Sequence, residues 1–204
     1  MRRRTAILAA ARQVFGEMGY DGASFDDVVR RADLPASAVQ QAFPDKEAVF
    51  RTLVEESVRR LRTRVRAARD RASTLEEFVG GPFRAFFGFV AQDPMAFELL
   101  RQPAVLRALL EEPTLGATVA ELHEDLDAAV ARGDLPPIDL AYLAAAMAGV
   151  AVEVALRMVE RKPVDADGAA AFVTRLFLGG LDRLCEPPRS ARPAGRRARR
   201  RTTR

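Results

Sequence analysis

Apolar residues along this chain recur every three to four positions rather than every two, and that spacing persists through most of its length. Ile7, Leu8, Ala11, Val14, Phe15 and Met18 mark one face of a helix of about three turns. Gly19 is placed to end it, because glycine accepts the left-handed backbone of a C-terminal cap. Ser24, followed three residues later by Asp27, reads as the capping box of a second, short helix with Phe25, Val28, Val29 and Ala32 facing inward. Asp33 and Leu34 leave room only for a tight turn. Pro35 suits the first turn of a third helix, in which Val39 and Phe43 are the buried positions. Pro44 stops that helix and Asp45 caps a longer one, where Phe50, Leu53, Val54, Ser57, Leu61, Val65 and Ala68 keep helical spacing over about six turns.

Beyond residue 70 the pattern is one capped helix after another. Ser73 and Thr74 precede Glu76 and Glu77, Asp93 precedes Pro94, and Pro113 enters a run that ends at Arg132 and Gly133. Leu135-Pro136-Pro137 predicts a rigid turn before a helix of about 139 to 161, and Asp165 caps a last helix running to about Cys185. Gly80-Gly81-Pro82 predicts an interruption of the fifth helix, with backbone turned toward a cavity. No stretch alternates as a strand would. The expected fold is all-α: a three-helix head over 1–50, a helical body of about six helices over 51–186, and a disordered arginine-rich tail over 187–204.

The last two helices differ in texture from the rest. One carries Ala144, Ala145, Ala146, Ala148, Gly149 and Ala151, small residues that let helices approach closely, and the other repeats Phe172, Val173, Leu176, Phe177, Leu181 and Leu184. Together they predict a helix-pair face suited to a four-helix homodimer contact, against the plainer reading of an intramolecular core.

Charge changes this picture less than its sum suggests. The formal net charge is +4, but eight of the 32 basic residues are arginines between Arg189 and Arg204, and the remainder are outnumbered by the 28 acidic ones. The basic character therefore belongs to the tail, which can add phosphate-directed, sequence-independent affinity for nucleic acid or remain merely solvated. The single cysteine, Cys185, excludes an internal disulfide framework and fits a reducing cytoplasm. The uncharged run from Leu140 to Val152 is short for a bilayer and is closed by Glu153, so no membrane association is expected.

Three short helices, the second and third joined by a tight turn, have the layout of a helix-turn-helix. The order of residues sharpens this: Ile7-Leu8-Ala9-Ala10-Ala11, Phe15 to Gly19-Tyr20-Asp21, Ser24 to Val28-Val29, Ala32, and Phe43-Pro44-Asp45-Lys46-Glu47-Ala48-Val49. Over about residues 5 to 53 the chain resembles the TetR family of repressors. That resemblance implies a homodimer joined through its last two helices, a third helix that enters the major groove of a palindromic operator, and a body that holds an effector whose binding releases the DNA. Lys46 matches a family lysine that reaches DNA phosphate. The sequence departs from the family at Asp33, where a turn glycine is usual, at Pro35, where Ser or Thr is usual, and at Gln40 and Ala42, where Tyr and His are common.

Candidate DNA-binding residues follow. Ser24 opens a helix whose N-terminal N–H groups suit a phosphate, and Ala36, Ser37, Gln40 and Gln41 are the positions of the third helix left outside by Val39 and Phe43. Gln can pair bidentately with adenine, and Ser can meet several bases. The Arg2-Arg3-Arg4 arm is placed to enter a neighbouring minor groove. For the effector, Phe83, Phe86, Phe97 and Met147 are apolar pocket candidates, with Arg101, His123 and Glu153 as polar groups to orient it; the apolar set reads equally as plain core. An apolar or amphipathic small molecule is expected. One histidine with scattered carboxylates, no glycine-rich phosphate loop and no nucleophile paired with a base argue against an enzyme and against a metal or other cofactor. The competing reading is an architectural DNA-binding protein that senses nothing.

Overall fold

The computed structural model describes residues 2–102, 105, 113–133, 135 and 138–184; Cys185, the Pro136-Pro137 pair and the arginine-rich stretch from 187 lie outside these. Among the described residues are nine helices and no strand. Helix α1 (Arg2–Gly22) buries Ile7, Leu8, Ala11, Val14 and Phe15 as their spacing requires. Met18, assigned to the same stripe, is exposed, since it borders an open cavity at the end of the helix instead of the core. The backbone turns at Gly19, whose φ of 71° is the left-handed conformation that glycine tolerates.

Helices α2 (Phe25–Ala32) and α3 (Ala36–Ala42) follow, joined by a turn in which Asp33 takes φ 52°. This is the position where the family favours glycine, and an L-residue with a short polar side chain is the next least costly occupant. Pro35 stands at the N-cap of α3, extended at ψ 135°, one residue before the first turn it was expected to occupy. The continuous helix α4 (Lys46–Asp70) is 25 residues and so about 37 Å long. Its first part closes the head through Val49, Phe50 and Leu53, and Phe50 meets Phe15 and Tyr20 at ring separations of 5.6 and 4.4 Å. Arg31 of α2 reaches Glu17 of α1 at 2.7 Å, and Arg12 of α1 reaches Glu56 of α4 at 3.4 Å.

The body is arranged around α5 (Leu75–Gln92), which packs against α4 and against the last helix, α9 (Ala166–Leu184), with smaller contacts to α6 (Pro94–Leu100) and α8 (Leu140–Val159). Helix α7 (Pro113–Arg132) lies on α8 and touches α4. The expected break at Gly80-Gly81-Pro82 does not occur: α5 runs through all three residues. The two glycines are instead points of close approach. A Cβ on Gly80 would stand 2.8 Å from Thr174 Oγ1 of α9, and one on Gly81 would stand 3.3 Å from the Ala68 carbonyl of α4. Missing side chains here permit tight helix crossings, and Gly81 also borders an open groove of about 610 Å³ between α4 and α5.

Asp93 ties α6 to α4 within the body. Its carboxylate caps α6 by accepting the Ala96 N–H at 2.9 Å and also takes Arg60 of α4 at 2.6 Å. Partial burial pushes its pKa up, but the Ala96 N–H and Arg60 outweigh this and hold it below the usual range. On the head side Met95 of α6 rests against Gly16 of α1, where any Cβ would collide with its thioether. Helix α8 has the length and apolarity of a membrane-crossing helix, with a mean hydropathy of 1.6. Leu143, Ala144, Met147, Ala155 and Met158 place one of its faces in the core, while Tyr142, Ala145, Ala146, Ala148 and Gly149 stay exposed.

Candidate nucleic-acid interface

The head presents α3 by fixing its opposite side. Val28, Val39 and Phe43 are buried at 0, 0 and 1% exposure, and α3 packs against α1. Ala36, Ser37, Gln40 and Gln41 all face outward, as the spacing predicted. No residue of α3 is charged, and its outer face offers hydroxyl and amide groups that can both donate and accept. These four positions lie on one short helix and are brought together. Ser24 and Lys46 are set apart from them, at the junction of α1, α2 and α4.

At that junction the two side chains are committed to the protein itself. Ser24 Oγ accepts the Asp27 N–H at 3.1 Å, and Asp27 in turn accepts the Ser24 backbone N–H at 2.9 Å, which completes the capping box. The Ser24 hydroxyl and N–H, with help from Arg30, hold the Asp27 carboxyl below the usual carboxylate range. Whatever α2 offers a phosphate comes from backbone, not from the serine side chain. Lys46 Nζ donates to the carbonyls of Tyr20 and Ala23, each at 2.9 Å, and stands 4.2 Å from the centre of the Tyr20 ring. Burial, followed by the charges of Glu47, Asp21 and Asp45, pushes the Tyr20 phenol upward.

Arg4 is similarly placed. Its guanidinium lies 4.3 Å from the Phe43 ring and donates to the Ala42 carbonyl at 3.4 Å, at the C-terminal end of α3. The arm expected to reach a minor groove is therefore the first turn of α1, and Arg4 is seated on the end of α3.

The effector candidates do not converge on one void. Phe83 stacks on Phe87 and Phe177 at 6.3 and 5.6 Å, and Phe86 meets Phe97 edge-on at 6.2 Å, forming a filled aromatic cluster with Met147 also buried. Arg101 pairs with Glu98 beside a cavity of about 670 Å³ between α1 and α6. Glu153 lines a groove of about 460 Å³ between α8 and α9, and His123 is half-buried on α7. No group of three His, Cys, Asp or Glu residues among those described is arranged to hold a metal.

The carboxylates near His123 read from the sequence as a helix surface charge cluster, but their pairing with arginines of α4 was not foreseen. Glu121 accepts from Arg62 and is flanked by Arg66 at 3.6 Å and Arg69 at 3.4 Å, while Arg69 also reaches Asp125 at 2.7 Å. The hydrogen bond from Arg62 is the main reason that the Glu121 carboxyl lies below its usual range. The available signal was the spacing of Arg62, Arg66 and Arg69, which share one face of α4 over two turns.

Comparison with known proteins agrees with this architecture. Residues 7–53 match the family described as bacterial regulatory proteins, tetR family. The HTH-type transcriptional activator FasR of Mycolicibacterium smegmatis is 24% identical over 188 residues, covering 89% of this chain and 84% of the relative. The fatty acid degradation regulator FadR from Bacillus halodurans has the same fold, with a TM-score of 0.77 at 23% identity over 89% of this chain and 97% of that one. The transcriptional regulator FadR from Bacillus subtilis, solved in complex with stearoyl-CoA, gives a TM-score of 0.75 at 19% identity over 86 and 98% of the two chains. Residues 7–53 thus form a helix-turn-helix head that matches the tetR family of bacterial regulatory proteins, and the body shares the helical fold of such regulators.

Proposed function

We propose that the protein is a cytoplasmic homodimer that represses transcription from a palindromic operator and is released from it by a fatty-acyl effector. The observation that carries the reading is α3, an uncharged helix with Val39 and Phe43 buried and with Ala36, Ser37, Gln40 and Gln41 turned outward. Two such helices related by a two-fold axis read half-sites about 34 Å apart, one turn of the duplex. The head is assigned to 1–50 and the body to 51–186, with the tail from 187 adding sequence-independent affinity.

Dimerisation is assigned to α8 and α9. Tyr142, Phe172 and Leu176 are 78, 56 and 53% exposed on helices whose other faces belong to the core. A groove of about 610 Å³ lined by Ile138, Leu143, Ala146, Leu176 and Leu181 runs between them. Large apolar side chains gathered on one surface favour a partner that covers them, and a second copy presents the same groove and the same side chains.

The effector class is suggested by relatives whose names refer to fatty acids and by the stearoyl-CoA bound to one of them. In this chain Phe83, Phe86, Phe97 and Met147 are the proposed apolar contacts of an acyl chain, which must part their packed rings to enter, and Arg101, His123 and Glu153 are the candidates to orient its polar end. The test is selection of bound sequences from random duplex DNA, followed by titration of the selected complex with stearoyl-CoA. A two-fold symmetric site that survives deletion of 187–204 and is released by the acyl-CoA is the expected result. Binding without a shared motif, or binding lost with the tail, would favour an architectural protein instead.

A further inference from the structure

The groove of about 610 Å³ between the second half of α4 and α5 contains none of the effector candidates named above. Its floor is made of Ala67, Ala68, Gly81, Ala85 and Gly88, and Arg64, Arg71 and Arg84 stand exposed on its rim. Gly81 is accounted for by the nearby Ala68 carbonyl, but a Cβ on Gly88 would meet nothing within 4 Å. Glycine inside a helix is destabilising relative to alanine, and no packing neighbour demands it at this position. Among the described residues, the other glycines of helical backbone with such open space, Gly149, Gly179 and Gly180, lie on α8 and α9, the helices assigned to the dimer. What Gly88 does is keep the floor of the groove open.

Charge narrows what can cover it. Outside the tail, acidic residues outnumber basic ones, yet this groove collects three arginines against one carboxylate, Glu77, which accepts the Ser73 N–H and hydroxyl at 2.8 and 2.7 Å. Arg64 is steadied by donating to Gln92 at 2.9 Å and by the Phe89 ring 5.5 Å away. Arg84 acts on Glu77 through space, and Arg71 has no ion pair among the described residues. Arg64 and Arg71 are two turns apart, about 10 Å along one face of α4, with Arg84 on the opposite wall. A guanidinium fork matches phosphate oxygens. One phosphate cannot reach both ends of this row, whereas a chain of phosphates on a nucleotide spans it. We propose that the groove is a second small-molecule site, which holds a nucleotide-type ligand with its phosphates across Arg64, Arg71 and Arg84 and its flat ring on the floor of alanine and glycine. Its volume lies within the range of about 300–1,000 Å³ of such sites. The proposal shares no residue with the acyl effector reading and does not rest on it.

The test titrates the full chain with ATP, coenzyme A and inorganic diphosphate by calorimetry. Wild type is expected to bind at least one of the two nucleotides, and diphosphate to displace it. Arg71→Gln and Arg84→Gln each weaken binding by about tenfold or more, the scale of one charge-assisted hydrogen bond. Gly88→Leu fills the floor and abolishes binding, yet melts at or above the wild-type temperature, because it displaces no neighbour and leucine is the better helix former. Tighter binding of coenzyme A than of ATP identifies the head group of an acyl thioester as the source of the phosphates, and the reverse order identifies free nucleotides. Absence of binding with all three probes at millimolar concentration overturns the proposal. So does an affinity that is unchanged in Gly88→Leu or in both arginine variants, which would place the nucleotide elsewhere on the chain.

Discussion

Gln40 and Gln41 carry no structural duty in the head, while Val39 beside them is fully buried. That division leads to a prediction. Gln40→Ala and Gln41→Ala leave urea stability within about 0.5 kcal/mol of wild type, yet shift base preference at particular operator positions, where one bidentate contact discriminates by about 1–3 kcal/mol. Repeating the sequence selection with each variant checks this, and identical motifs would exclude both residues from base reading. The alternation of buried and exposed positions on α3 was legible in the sequence because Val39 and Phe43 are four apart, one helical turn. The destinations of Lys46 and Arg4 were not, since both donate to backbone carbonyls, and a carbonyl leaves no mark in the sequence.

Among the elements, α4 carries the largest share of charge pairing. Arg62, Arg66 and Arg69 meet Glu121 of α7, and Arg69 is buried to 8% exposure, so the carboxylate compensates a cation with little access to water. Because the folded state holds the Glu121 carboxyl below its unfolded value, its contribution is complete above the ordinary glutamate range near about 4.3 and disappears as pH falls through the lower folded value. Glu121→Gln is therefore expected to cost about 1–3 kcal/mol at neutral pH, with the gap to wild type narrowing below pH of about 4. Urea unfolding at pH 7 and at pH 3 measures this, and a gap independent of pH would mean that Glu121 acts by packing. Helix boundaries were legible wherever a cap named them, as at Ser24, Asp45, Thr74 and Asp93, each of which accepts the expected backbone N–H. Gly80-Gly81 was misread because a glycine that permits a kink and one that permits a close crossing look the same in one dimension. The partner that distinguishes them, Thr174 or Ala68, is distant in the sequence.

At the scale of the whole molecule, the proposed dimer makes a sharp prediction. Leu176→Glu or Phe172→Glu buries a charge in the α8 and α9 face, so analytical ultracentrifugation is expected to find monomers and the affinity for a two-fold site to collapse. A dimer that survives both substitutions would place the contact elsewhere. The unbroken course of α4 also matters to anyone who would rebuild the protein. One rigid rod of 25 residues serves the head at one end, through Val49 and Leu53, and the body at the other, through Arg62 and Arg69. Each residue added to such a rod turns everything beyond it by about 100°. A foreign DNA-reading head can therefore be grafted onto this body only at a splice that preserves helical phase, so that Val49 and Leu53 at one end and Arg62 and Arg69 at the other keep their partners.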